Sequence, residues 1–128
     1  RDYNLISCGM FDEKIAALAL EHSEKILERN RKIVRDNLAI LDHWVGEESH
    51  VSYVKPQAGT TALVYYDLPI DSYTFCEEMY KQTGAFVTPG DCFEQSHSMR
   101  IGYACDAEIL KAGLCAVSEY IKMKLKVN

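Results

Sequence analysis

The chain is poor in the residues that staple a fold or build a metal centre. Its 128 residues hold five cysteines, Cys8, Cys76, Cys92, Cys105 and Cys115. The number is odd, and no two stand as C-x-x-C, so neither a zinc site nor a disulfide framework is indicated. Reduced thiols in a cytoplasmic protein are the expectation. The four histidines, His22, His43, His50 and His97, are scattered, with none at ligand spacing to another. Three read as surface residues; His97 lies in a loop just before Arg100. No apolar run approaches the roughly 18 residues that read as a membrane span, and no signal-peptide pattern is present. Basic residues cluster only at Lys122, Lys124 and Lys126, at the end of a predicted helix, where cations suit the macrodipole. With a net charge of −5, nucleic-acid binding is not expected. Internal repeats, low-complexity stretches and linkers are absent too.

What is present is the composition of an ordinary globular domain, 48% hydrophobic and 26% charged, in a chain long enough for one core. Residues Arg1 to Gly9 read as an irregular lead-in. The alanine- and leucine-rich stretch from Phe11 to Glu21 predicts a helix. Ser23 and Glu24 mark a bend or a fresh start. From Glu24 to Gly46 the residues Ile26, Ile33, Ile40 and Trp44, with Leu27, Val34, Leu38 and Leu41, form one apolar helical stripe. Short strands are expected at Val51 to Val54 and Thr61 to Tyr66, with a turn at Pro56 and Gly59 between them. A helix capped at Asp71 or Ser72 runs to Thr83 and stops at Gly84. A strand at Ala85 to Val87, a Pro89-Gly90 turn, a loop and the Arg100 strand follow. Asp106 then caps a last helix to about Lys124, with Leu110, Leu114, Val117 and Ile121 on its buried side. This order predicts an α+β two-layer fold: a small, mainly antiparallel sheet with helices on one face, preceded by a long amphipathic helix.

The segment Thr83 to Ala104 carries the chemistry. Alternation over Met99, Arg100, Ile101, Gly102, Tyr103 and Ala104 puts Met99, Ile101 and Tyr103 on one face of a strand. Arg100 shares the other with two small residues, which leave room for a ligand. A guanidinium matches a carboxylate through two parallel hydrogen bonds, so a carboxylate site is one reading. An edge-strand arginine facing water is the other.

Gly84, Phe86, Val87, Pro89, Gly90, Phe93, Arg100, Ile101 and Gly102 together resemble the C-terminal signature of class I/II aminotransferases, pyridoxal-phosphate enzymes of fold type I. The resemblance covers nearly the whole chain and is most specific from Lys55 to Ala104. It implies a C-terminal small domain over 1–128, with lead-in and interdomain helices over 1–46 and an α/β sandwich over 47–128. The first residue is Arg1 rather than methionine, as in an excised piece of a longer protein or a trimmed mature chain. The resemblance favours the excised piece. It also implies that Arg100 holds the α-carboxylate of the substrate and that the Phe93 loop passes close to it. Thr60 and Thr61, after the Pro56–Gly59 turn, match loosely a place where the family reads the substrate side chain. Pro89 and Gly90 shape the turn.

The lysine that binds the cofactor, and most cofactor contacts, lie in the preceding large domain of that family. No lysine here stands in the serine-rich context the family uses, Lys55 included. No catalytic or cofactor-binding residue is therefore assigned, and the chain alone is expected to be inactive. The full-length protein is expected to be a homodimeric transaminase, moving an amino group between an amino acid and a 2-oxo acid. Glu94 departs from the family's usual glycine after this phenylalanine, and puts the loop's course and the substrate's identity in question. A β-lyase or synthase on the same fold, or a free-standing domain binding carboxylates or a protein partner, are the alternatives.

Overall fold

A computed structural model describes residues 9–127; the lead-in expected over Arg1–Cys8 lies outside them. The chain divides into two compact units, one up to Lys32 and one from Ile33 onward.

The first unit holds α1, Met10–Glu21, and the start of α2, Ser23–Glu47. The Glu13 N–H donates to the Gly9 carbonyl at 3.0 Å and opens α1. A single turn residue, His22, separates the helices where the Ser23 bend was expected. No residue of α1 is buried; Met10, Phe11, Ile15, Leu18 and Leu20 are all exposed. Gly46 does not stop α2, which continues one residue further to Glu47.

The second unit begins within α2 and contains β1 (Val51–Tyr53), β2 (Thr61–Tyr66), α3 (Ser72–Thr83), β3 (Thr88–Pro89), a short 3-10 helix (Gly90–Phe93), β4 (Ser98–Gly102) and α4 (Ala107–Val127). The strands form one four-stranded sheet in the order β1-β2-β4-β3, with every neighbouring pair antiparallel. This is the expected α+β layout. Pairing sets Ala62 opposite Ile101 and Val64 opposite Met99, and all four are buried. That face meets Phe75 and Met79 of α3, Leu110, Leu114, Val117 and Ile121 of α4, and Leu41 of α2 in one core. Each such side chain contributes about 1.5–3 kcal/mol by leaving water. Tyr66 stacks on Phe75 at 4.1 Å, and Phe75 meets Tyr120 edge-on at 5.0 Å.

Caps follow the chemistry of the sequence. Asp71 Oδ1 accepts from the Thr74 N–H at 3.0 Å and starts α3; Gly84, at φ 76°, ends it in the left-handed region that glycine enters without cost. Asp106 Oδ1 accepts from the Glu108 N–H at 2.9 Å and starts α4. One strand is displaced. Pairing falls on Thr88–Pro89 rather than Ala85–Val87, because the partners on β4, Arg100 and Met99, stand opposite those two residues. Proline is tolerated there because β3 is an edge strand.

Candidate functional site

Arg100 sits at the centre of β4, and β4 lies inside the sheet, between β2 and β3. The arginine is therefore not on an edge strand. Met99 and Ile101 point into the core while Arg100 and Gly102 are exposed, as the alternation predicts. The Arg100 face of the sheet also presents Thr61, Leu63 and Tyr65 of β2 and Thr88 of β3, by the register of the pairing. Arg100 Nη2 donates to Thr88 Oγ1 at 3.3 Å. Its guanidinium carbon lies 4.7 Å from the centre of the Phe93 ring, within cation–π range. Among the described residues Arg100 has no carboxylate partner.

Phe93 and Arg100 are thus brought together. Thr61 stands diagonally from Arg100, two residues along β2 from Leu63, its direct partner; such diagonal pairs lie about 7–8 Å apart. Thr60 is the turn residue before it, and its carbonyl accepts from the Tyr103 N–H at 2.9 Å. Tyr103 Oη donates to the Gly59 carbonyl at 2.9 Å, so one buried tyrosine holds the turn at two points. Asn37 of α2 holds the other side of Tyr103: its Nδ2 donates to the carbonyls of Tyr103 and Cys105, both at 2.8 Å. The sequence reading missed Asn37 and Thr88. Asn37 is marked by being the one amide in the apolar rhythm Val34, Leu38, Leu41, Trp44. Thr88 carries no local mark; only strand register reveals it.

The loop beneath Arg100 is tied to α3. Asp91 accepts from Ser72 Oγ at 2.6 Å and from Ser96 Oγ at 3.1 Å, and its own N–H donates back to Ser72 Oγ at 2.9 Å. The Ser72 bond, more than any other cause, holds the Asp91 carboxyl below its ordinary 3.8. Gly90 is required by space: a Cβ there would stand 1.8 Å from Ser98 Oγ and 2.4 Å from the Gln95 carbonyl oxygen. Glu94 takes φ 58° and ψ 32°, a left-handed conformation in which glycine is free of strain. The loop thus holds a glycine-like turn at a residue that is not glycine.

These residues do not form a covalent site for pyridoxal phosphate. None of the four strands and no residue of Gly90–Phe93 is a lysine. Lys55 Nζ donates to Asp42, which lowers the carboxyl's pKa; a second bond from Tyr53 adds to this. The guanidinium of Arg100 carries its five N–H donors in one planar fork. A separate apolar cavity of about 370 Å³ is lined by Phe86, Val87, Ile101, Ile109, Leu110 and Gly113, among others; Arg100 and Phe93 are not part of it.

The fold and the segment around Arg100 define a class, and comparison with known proteins agrees. A PLP-dependent aminotransferase from Streptococcus suis 89-1591 superposes with a TM-score of 0.89 at 41% identity, over 96% of this chain and 33% of that one. The PLP-dependent cyclase OrfR superposes with a TM-score of 0.85 at 25% identity, over 97% of this chain and 35% of that one. Capreomycidine synthase of Streptomyces vinaceus is 32% identical over 120 residues, 93% of this chain and 31% of that protein. No protein-family model matches the chain. The chain belongs to the fold type I pyridoxal-phosphate-dependent aminotransferase family, as the segment Gly84–Gly102 indicates. It spans about a third of the length of these relatives.

Proposed function

We propose that the chain is the C-terminal small domain of a pyridoxal-phosphate-dependent aminotransferase, and that Arg100 receives the α-carboxylate of its amino-acid and 2-oxo-acid substrates. The observation that carries this reading is the state of Arg100: exposed on the sheet face turned away from the core, backed by Phe93 and free of any carboxylate among the described residues. A guanidinium so held offers a planar fork to an incoming carboxylate. The cofactor, bound in a large domain, supplies the electron sink for the transfer. This chain fixes one end of the substrate, so that binding energy becomes orientation. This reading assigns Thr61, on the Arg100 face of the sheet, and Thr60 before it to the substrate's side chain. The exposed apolar residues of α1 suit packing against the large domain or a second subunit of a homodimer.

Arg100→Lys in the complete protein tests this. Lysine keeps the charge and loses the fork. Loss of a charged hydrogen-bonded partner costs about 2–5 kcal/mol, so kcat/KM for amino acids is expected to fall roughly 30- to several-thousand-fold. Amines without a carboxylate are expected to change much less. Unchanged amino-acid turnover would sink the reading.

A second reading, synthase, cyclase or lyase chemistry on the same fold, is favoured by the likeness to a capreomycidine synthase and to the cyclase OrfR. Transamination consumes one 2-oxo acid per amino acid converted. Turnover that proceeds without a 2-oxo acid acceptor would select the second reading.

A further inference from the structure

We infer that Thr88 is a positioning residue that selects which edge of the Arg100 guanidinium meets the carboxylate. This rests on the reading of Arg100 as the anchor. A guanidinium carries five N–H donors in one plane. Two of its edges offer a complete fork: Nε with Nη2, and Nη1 with Nη2. Each fork uses a different proton of Nη2. The bond from Nη2 to Thr88 Oγ1, 3.3 Å long, takes one of those two protons. One fork is thereby interrupted and the other is left whole. The Phe93 ring, 4.7 Å from the guanidinium carbon, covers one flat side of the group. An incoming carboxylate then meets a single open edge.

Thr88 is itself well held. It pairs directly with Arg100 across β3 and β4. Pro89 follows it with φ fixed at −58°, and Gly90 beyond is locked by its close approach to Ser98. Threonine is β-branched and stiff at χ1, so its hydroxyl does not wander. An arginine ordered before binding loses less freedom when the ligand arrives. The same bond is available to the ground state and the transition state, so its loss is expected in KM rather than kcat.

The test compares Thr88→Val, Thr88→Ser and Arg100→Lys in the complete, cofactor-loaded protein. Thr88→Val keeps the shape and removes the acceptor. It is expected to raise KM for both the amino acid and the 2-oxo acid about 3- to 10-fold, with kcat changed less than about 2-fold, since the lost bond involves a charged donor but is long and exposed. Thr88→Ser is expected to restore KM to within about 2-fold, because it returns the acceptor oxygen and gives up only the χ1 stiffness of the β-branch. Thr88→Ala removes the same hydroxyl and replaces the valine variant should the latter distort β3. Amines without a carboxylate are expected to be indifferent to all the Thr88 variants. If Arg100→Lys cripples amino-acid turnover while KM is untouched in Thr88→Val, the inference about Thr88 is overturned and the anchor stands. An unchanged Arg100→Lys overturns both. Equal losses for amines and amino acids in Thr88→Val would show a merely structural role and also overturn it.

Discussion

Replacing Asn37 by leucine is expected to loosen the fold at the point where α2 meets the end of β4. Asn37 is 2% exposed, and its amide donates to the carbonyls of Tyr103 and Cys105. Leucine has the same branching and suits the surrounding stripe, but it donates nothing. A buried acceptor left without a partner costs about 1–3 kcal/mol. The Tyr103 carbonyl bears that cost in full. The Cys105 carbonyl belongs to a residue only partly buried and regains some hydration. The two together come to about 2–4 kcal/mol, and the added apolar burial returns about 1 kcal/mol. The net loss is then about 1–3 kcal/mol. In urea unfolding, with a slope of about 1–3 kcal/mol/M, the midpoint is expected to drop by roughly 1 M with the slope unchanged. Asn37→Asp is the sharper control. It keeps the volume but turns an acceptor oxygen toward two carbonyls, and is expected to lose more than the leucine variant. A leucine variant within about 0.5 kcal/mol of the parent, or an aspartate variant more stable than it, would refute the assignment of these bonds as an anchor.

Two further outcomes concern the loop under Arg100. Gly90→Ala is expected to destabilise the protein by at least the roughly 1–3 kcal/mol typical of overpacking, because backbone oxygens of Gln95 and Ser98 bound the space; urea midpoints report it, and an unaffected variant would show that the loop yields freely. Glu94→Gly removes the strain of a left-handed glutamate, about 1–2 kcal/mol, against an entropic cost of about 0.5–1 kcal/mol for a new glycine. A gain of up to about 1.5 kcal/mol in thermal or urea unfolding is expected, and a clear loss would mean that the glutamate side chain stabilises the turn.

The faces of β4 were legible because alternation is local. Met99, Ile101 and Tyr103 are buried and Arg100 exposed, as period-two patterning demands. Helix ends were legible where a residue's own chemistry makes them, as at Asp71, Gly84 and Asp106. Gly46 misled, since glycine permits a helix end without requiring one. The β3 strand was misplaced by three residues because its position depends on what stands across from it, and no pattern within Ala85–Pro89 reveals that. Thr88 stayed hidden for the same reason. Asn37 was missed: it stands as an amide in an apolar stripe, but its partners lie 66 and 68 residues away in the chain. Glu94 reads as a departure from the family's glycine, yet the backbone keeps a glycine-like turn and absorbs the change as strain.

The two faces of the sheet carry unequal obligations. Val64 and Met99 are locked into the core, whereas Thr61, Leu63, Tyr65 and Thr88 stand on the side where the core makes no demands. Residues on that side are free to change without the molecule having to relearn how to fold. A lineage can therefore revise what it recognises by editing one surface of one sheet. A scaffold built this way invites diversification, and its descendants are expected to share their buried side chains far more faithfully than the residues surrounding the arginine.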